Sequence, residues 1–242
     1  MTVLSVNVNK IALLRNSRGS DYPSVLHFVE RLVGLGVRGV TVHPRPDERH
    51  ITRRDVYDIA AFLKAHPRIE FNIEGYPSEA FLDMVDEVRP AQCTLVPDEP
   101  GQLTSDHGWD VAGQQRQLQE VLERLRGMQV RSSVFLDPEP ERVAQAAALP
   151  LDRIELYTEA YARASGTAEE EATWQQYRAA AQRATELGLG LNAGHDLNLQ
   201  NLPRFLEIPG IEEVSIGHAL IVESLEQGFD RVVKQYLSIT GA

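Results

Sequence analysis

The chain has 242 residues, one Cys and a formal charge of −11, with 24 basic against 35 acidic side chains. One Cys excludes an internal disulfide framework and a Cys-based zinc site, no run of about 18 apolar residues is present to span a membrane, and the acidic balance argues against a nucleic-acid partner, which would ask for a basic face. The opening stretch lacks a basic-then-apolar signal pattern, so a cytosolic protein is expected.

Along the chain, short β-branched runs alternate with longer segments of helical period. A strand is predicted over residues 3–8 and a helix over 23–35, with Pro23 tolerated in its first turn and Gly36 closing it. The next pairs are a strand at 39–43 with a helix at 52–65, a strand at 69–74 with a helix at 78–88, and a strand at 92–96. A long polar loop at 97–110 leads to a helix at 111–127. A strand at 130–136 with a helix at 139–148 follows, then a strand at 153–157, a long connection at 158–167 with room for an extra helical turn, and a helix at 168–187. A strand at 189–193 with a short helix at 199–207, and a strand at 213–217 with a helix at 221–236, complete the pattern. Trp174 and Tyr177 in the long helix read as core or interface.

Eight strand–helix pairs in a chain of this length predict one domain, residues 1–242, folded as an α/β (β/α)8 TIM barrel. The runs look nearly continuously apolar, as parallel strands buried on both faces should be. An open doubly wound sheet competes, but NVNKIALLRNSRG after the first strand is not the glycine-rich phosphate turn that such a fold would carry.

In a barrel, chemistry gathers at the carboxyl ends of the strands. Those ends carry Asn7 and Asn9, His43 and Arg45, Glu74, Thr94, Asp137, Glu155, His195, and Gly217 with His218. His50 lies in the loop after the second strand, whereas His27 and His66 fall in helices and His107 in an exposed loop, where structural or solvated roles are expected. Imidazoles beside carboxylates suit proton transfer, since burial and neighbours tune both towards neutral pH. Glu74 follows apolar Ile73, so desolvation is expected to raise its pKa and favour a base role; a carboxylate paired with an Arg is the competing reading of Glu155. Arg18, Arg45 and Arg49 are fork-shaped donors that suit phosphate. The glycines of the last two strand ends let backbone N–H groups approach oxygens, and the helix after the eighth strand offers its N-terminus. The run HPRPDERH gathers cations in a stiff loop, which favours an anionic ligand. Loop 97–110 is long for a strand-to-helix connection and reads as a lid.

Taken together, LSVNVNKIALLRNSRG, GVTVHPRPDERHIT, FNIEGYPS, LVPDEPGQLTSDHGWDV, RIELYTEAYA, LNAGHDLN and SIGHALI resemble the pyridoxine 5′-phosphate synthase family, end to end and in order. The resemblance implies a (β/α)8 barrel with a few additional short helices, a homo-octamer, and no metal or organic cofactor. It implies condensation of 3-amino-2-oxopropyl phosphate with 1-deoxy-D-xylulose 5-phosphate to pyridoxine 5′-phosphate, phosphate and water. By motif, His43 and Glu74 match the proton acceptors, His195 the proton donor and Glu155 the residue that stabilises the transition state. Asn7, Arg18, Gly217 and His218 match positions that hold the amino-ketone phosphate; Arg45, His50 and Thr104 match those that hold the deoxyxylulose phosphate. Asn9, Lys10 and Asp196, also expected at the substrates, depart from the usual pattern: many members read Asn-x-Asp-His after the first strand and Gly after the histidine of NAGH.

Two rival readings stand beside this one. A metal-dependent barrel hydrolase or lyase would use His43, His195, His218 and Glu74 as ligands. A non-catalytic binder of phosphorylated ligands would explain Asn9, Lys10 and Asp196 as signs of lost catalysis.

Overall fold

A computed structural model describes residues 1–98, 102 and 105–241. Eight parallel strands, β1 (Val3–Asn7), β2 (Gly39–Val42), β3 (Glu70–Gly75), β4 (Gln92–Leu95), β5 (Arg131–Leu136), β6 (Arg153–Tyr157), β7 (Gly190–Gly194) and β8 (Ile211–Ile216), pair in chain order, and β8 pairs with β1 to close a (β/α)8 TIM barrel. The helices are α1 (Asn9–Asn16), α2 (Val25–Leu35), α3 (Arg53–Leu63), α4 (Glu79–Val88), α5 (Gln115–Gly127), α6 (Pro140–Ala146), α7 (Glu159–Ala164), α8 (Glu170–Glu186), α9 (Leu202–Phe205), α10 (His218–Gln227) and α11 (Phe229–Thr240).

Several helix starts follow from side chains at the strand-to-helix turns. Thr52 and Asp55 form a reciprocal capping box at α3, and Ser78 accepts from the Phe81 N–H at α4. Gly36, at φ 99°, ends α2 in the left-handed conformation that glycine adopts without strain. Three expectations change. Helix α1 is not foreseen, because its inward face (Ile11, Ala12, Arg15) includes an arginine while Leu13 and Leu14 are exposed. The helix expected at 221–236 is two helices, broken at Gly228 with φ 90°. The helix expected from 111 begins at Gln115, the preceding turn being held by the Gly113 N–H on Asp110.

The strands are not continuously apolar. Leu4, Val6, Val40, Val42, Phe71, Ile73, Cys93 and Leu95 alternate with the buried polar residues Ser5, Thr41, Asn72, Gln92 and Thr94. The polar set points to the barrel axis, because its hydrogen bonds join strands that are not neighbours: Gln92 on β4 donates to Glu213 on β8 (3.4 Å), Asn192 on β7 to Gln92 (3.2 Å), and Thr94 on β4 to Glu155 on β6 (3.4 Å). Apolar side chains face the helices and make the core there; the axis is a hydrogen-bonded polar stack, which low dielectric makes costly unless satisfied. No helix among the described residues is long and apolar enough to cross a membrane.

Candidate active site

At the C-terminal rim, adjacent strands deliver four polar side chains to one spot. The Asn9 N–H donates to Asn7 Oδ1 (3.0 Å), the Asn9 side-chain oxygen accepts from the His43 N–H (2.9 Å), and Asn7 Nδ2 donates to Glu74 Oε2 (3.4 Å). His43 Nδ1 stands 4.0 Å from the same Glu74 oxygen, with both side chains about a tenth exposed at 9% and 12%. Burial first, then the charges of Arg45, His50 and Arg49, hold the His43 imidazole well below the usual histidine range, so it is a neutral ring. Burial, then Glu155 and Asp98, push the Glu74 carboxyl well above the usual carboxylate range. His50 lies with its ring 6.2 Å from that of His43, accepts the Ile51 N–H on Nδ1 (2.9 Å), and is lowered to about 4 by burial and then Arg45 and Lys10.

Beside this group a cavity of about 420 Å³ is lined by His43, Arg45, Arg49, Tyr76 and Asp98. The Arg45 guanidinium pairs with buried Asp98 and donates to the Gln102 carbonyl (2.7 Å), to which Arg49 also donates (2.9 Å). Loop 97–110, expected to be a lid, is fastened at its far end: Trp109 is fully buried and its indole N–H donates to the Leu95 carbonyl (2.9 Å). The loop's centre, with Thr104, lies outside the described residues, so the expectations placed there have no structural account.

Deeper along the axis, Glu155 accepts from the Thr94 hydroxyl, and Gly194 on the neighbouring strand leaves room for its carboxyl, since a Cβ there would fall on Oε1. Burial, then the Glu213 carboxyl, push Glu155 up to about 8. After β7, His195 and Asp196 turn with φ of 90° and 57°, and His195 Nδ1 meets Asp196 Oδ2 at 3.0 Å. The His195 ring packs edge-on against Tyr157, with centroids 4.9 Å apart. Gly217 precedes α10 closely enough to Asn7 that a Cβ would come within 3.1 Å of the Asn7 Cβ. His218, exposed at the first turn of α10, and half-buried Lys10 both act on the Asp196 carboxyl through charge.

The structure thus joins Asn7, Asn9, His43, His50, Glu74 and Arg45 in one group, and Lys10, His195, Asp196 and His218 in an adjoining one, with Glu155 below. Arg18 is exposed beyond α1, and among the described residues no hydrogen bond or ion pair of its side chain joins it to either group. Sequence reasoning missed Asp98, which holds Arg45, and Tyr157, which backs His195. It also missed the axial residues Asn72 and Glu213; their signal was the polar–apolar alternation of FNIE and EEVSI. Among the described residues, no group of three His, Cys, Asp or Glu side chains is arranged to hold a metal ion.

Comparison with known proteins adds the following. The family described as "Pyridoxal phosphate biosynthesis protein PdxJ" matches residues 4–242. The pyridoxine 5′-phosphate synthase of Bacteroides thetaiotaomicron is 51% identical over 98% of both chains, and that of Porphyromonas gingivalis 50% identical, again over 98% of each. Among solved structures, the tryptophan synthase α-subunit of Pyrococcus furiosus superimposes with a TM-score of 0.66 at 13% identity, covering 100% of this chain and 98% of that one, a likeness of fold alone.

Proposed function

The chain belongs to the PdxJ family of pyridoxal phosphate biosynthesis proteins, and from that premise we propose that it is a pyridoxine 5′-phosphate synthase acting by acid–base catalysis of its own side chains. The substrates are 3-amino-2-oxopropyl phosphate and 1-deoxy-D-xylulose 5-phosphate. The observation that carries this reading is the buried His43–Glu74 pair, 4.0 Å apart at the barrel rim and tied to Asn7.

Building a pyridine ring from an amine and two carbonyl carbons needs imine formation, phosphate loss, dehydration and ring closure. Each step moves protons among carbon, nitrogen and oxygen, which several acid–base groups around one cavity perform in turn. His43, held neutral, keeps a ring nitrogen unprotonated and so able to accept a proton. Glu74 accepts another: its raised pKa makes its carboxylate a stronger base than an exposed one. His195 donates to the departing oxygen, and Glu155, in a water-poor axis, steadies charge as it develops. On this reading side chains of suitable chemistry serve each transfer, and neither metal nor organic cofactor is invoked. Arg45 and His50 hold the deoxyxylulose phosphate; Gly217 and the first turn of α10 hold the amino-ketone phosphate through backbone N–H groups and helix dipole.

We further propose a cytosolic homo-octamer; exposed Leu13 and Leu14 on α1, and Val222 and Leu225 on α10, supply apolar surface for association. The test of function is to mix the purified chain with both substrates and follow the pyridine chromophore and released phosphate, with and without a chelator. Product in both arms supports the reading. No product at high enzyme concentration favours a binding barrel, and loss on chelation favours a metal enzyme.

A further inference from the structure

We propose that Asp196 is a positioning residue for His195: its carboxylate holds the Nδ1 proton of the ring, so that when the ring carries both protons the one given to substrate is on Nε2, and the ring is left as the Nδ1–H tautomer. The inference rests on His195 being the proton donor and assigns the Asp196 side chain to the histidine rather than to a substrate.

The backbone is arranged for this contact. Along a strand, consecutive side chains point to opposite faces, yet His195 and Asp196 converge because both adopt positive φ, 90° and 57°. For a non-glycine residue such backbone is unfavourable and persists only where the surroundings determine it. Here they do. The Thr158 N–H and hydroxyl both donate to the Gly194 carbonyl (3.0 and 2.7 Å), and the hydroxyl also contacts the His195 carbonyl. The Asn201 amide donates to the Asp196 carbonyl (3.2 Å). Thr158 and Asn201 are buried, so three successive carbonyls of the turn are pinned from below. The result is the 3.0 Å contact of Nδ1 with Oδ2, while Tyr157, its own hydroxyl donating to the Ser105 carbonyl (3.2 Å), fixes the ring from β6.

The chemistry assigns the same role. A carboxylate on one imidazole nitrogen sets the tautomer and steadies the ring when it carries a second proton. Facing a substrate phosphate, the same carboxylate would repel it. Asp196 is kept ionised, below the usual carboxylate range, by its bond to His195 and then by the charges of His195, His218 on α10 and Lys10 on α1. Tyr157, on β6, is itself surrounded by Glu159, Asp106 and Arg163.

The test compares the unaltered enzyme with Asp196→Asn and Asp196→Gly, both of which tolerate the positive φ, using both substrates for kinetics and ¹⁵N-histidine spectra for the ring. The unaltered enzyme should show His195 protonated at Nδ1. Asp196→Gly should lose the hydrogen-bonded Nδ1–H signal and lower kcat roughly 10–100-fold, the range for partners that orient a histidine ring, with KM changed less than about threefold; Asp196→Asn, whose carbonyl still accepts, should fall between. Unchanged spectra and kcat in Asp196→Gly overturn the proposal. His195→Gln separates the two readings: full turnover there removes the proton-donor role and this proposal with it, whereas a dead His195→Gln beside a fully active Asp196→Gly removes Asp196 alone.

Discussion

Glu74, next to last in β3, stands between the Asn7 amide and the neutral His43 ring, its pKa raised by burial and then by the charge of the Glu155 carboxyl further down the axis. A carboxyl in that setting takes up a proton that an exposed glutamate would release, which is what a base near neutral pH requires. Replacing it with Gln keeps shape and the hydrogen bond from Asn7 while removing the proton acceptor. We predict that Glu74→Gln lowers kcat by about 10²–10⁴-fold, the usual contribution of one acid–base group, and shifts KM by only a few-fold. Steady-state kinetics with each substrate varied decides this; an unchanged kcat would take Glu74 out of the chemistry. A milder change addresses His50, whose ring is neutral above about 4. As a hydrogen-bond partner rather than a cation, it should be replaced by Gln with less than tenfold loss in kcat/KM above pH 6, and an activity profile that kept its shape down to pH 5 would agree.

Helices and strand ends set how tightly those side chains converge. Gly217 caps α10 where a methyl group would stand 3.1 Å from the Asn7 Cβ, and Asn7 is the residue bonded to Glu74. Gly217→Ala is therefore predicted to push Asn7 off Glu74 and crowd the helix N-terminus, raising KM for the amino-ketone phosphate about tenfold while the melting temperature drops by only a few degrees. An unaltered KM would place that phosphate elsewhere. Many of the strand ends were legible in the sequence because the apolar run stops at a polar residue, and eight such runs at barrel spacing pointed to the fold. His43, Glu74 and His195 were legible for the same reason, as polar residues at or next to those ends, whereas Glu155, expected at an end, is the middle residue of β6 and stands deeper in the barrel. What remained hidden depends on partners distant in sequence: Asp98 on Arg45, Tyr157 beneath His195, and the inward arginine that disguises α1. The polar interior was hidden too, although its period-two alternation was present, because a parallel strand buried on both faces is expected to be apolar throughout.

The barrel as a whole stacks titratable groups along its axis, with Glu74 at the rim, Glu155 in the middle and Glu213 below. Glu213 is almost fully buried, accepts from Gln92 and lies 3.9 Å from Arg153. Burial, opposed by Arg153, raises it to about 7. A carboxyl raised in the folded state keeps a proton that the unfolded chain has lost. Its stabilising contribution is complete below the ordinary value of 4.5 and declines as pH rises to about 7 for Glu213 and about 8 for Glu155. For Glu213 the interval corresponds to a decline on the order of 3 kcal/mol. His43 has the opposite sign, its contribution being present above 6.5 and lost as pH falls, so the net profile alone would mix the two. The difference between the unaltered chain and Glu213→Gln isolates the carboxyl. Gln keeps the contact with Gln92 and cannot ionise, so we predict that the variant gains stability relative to the parent between pH 5 and about pH 7 and that the difference levels off above it, measured by urea unfolding at each pH from 5 to 8. A constant difference across that interval would mean that Arg153 holds Glu213 charged throughout, and that the polar axis is an ion-paired core rather than a store of protons.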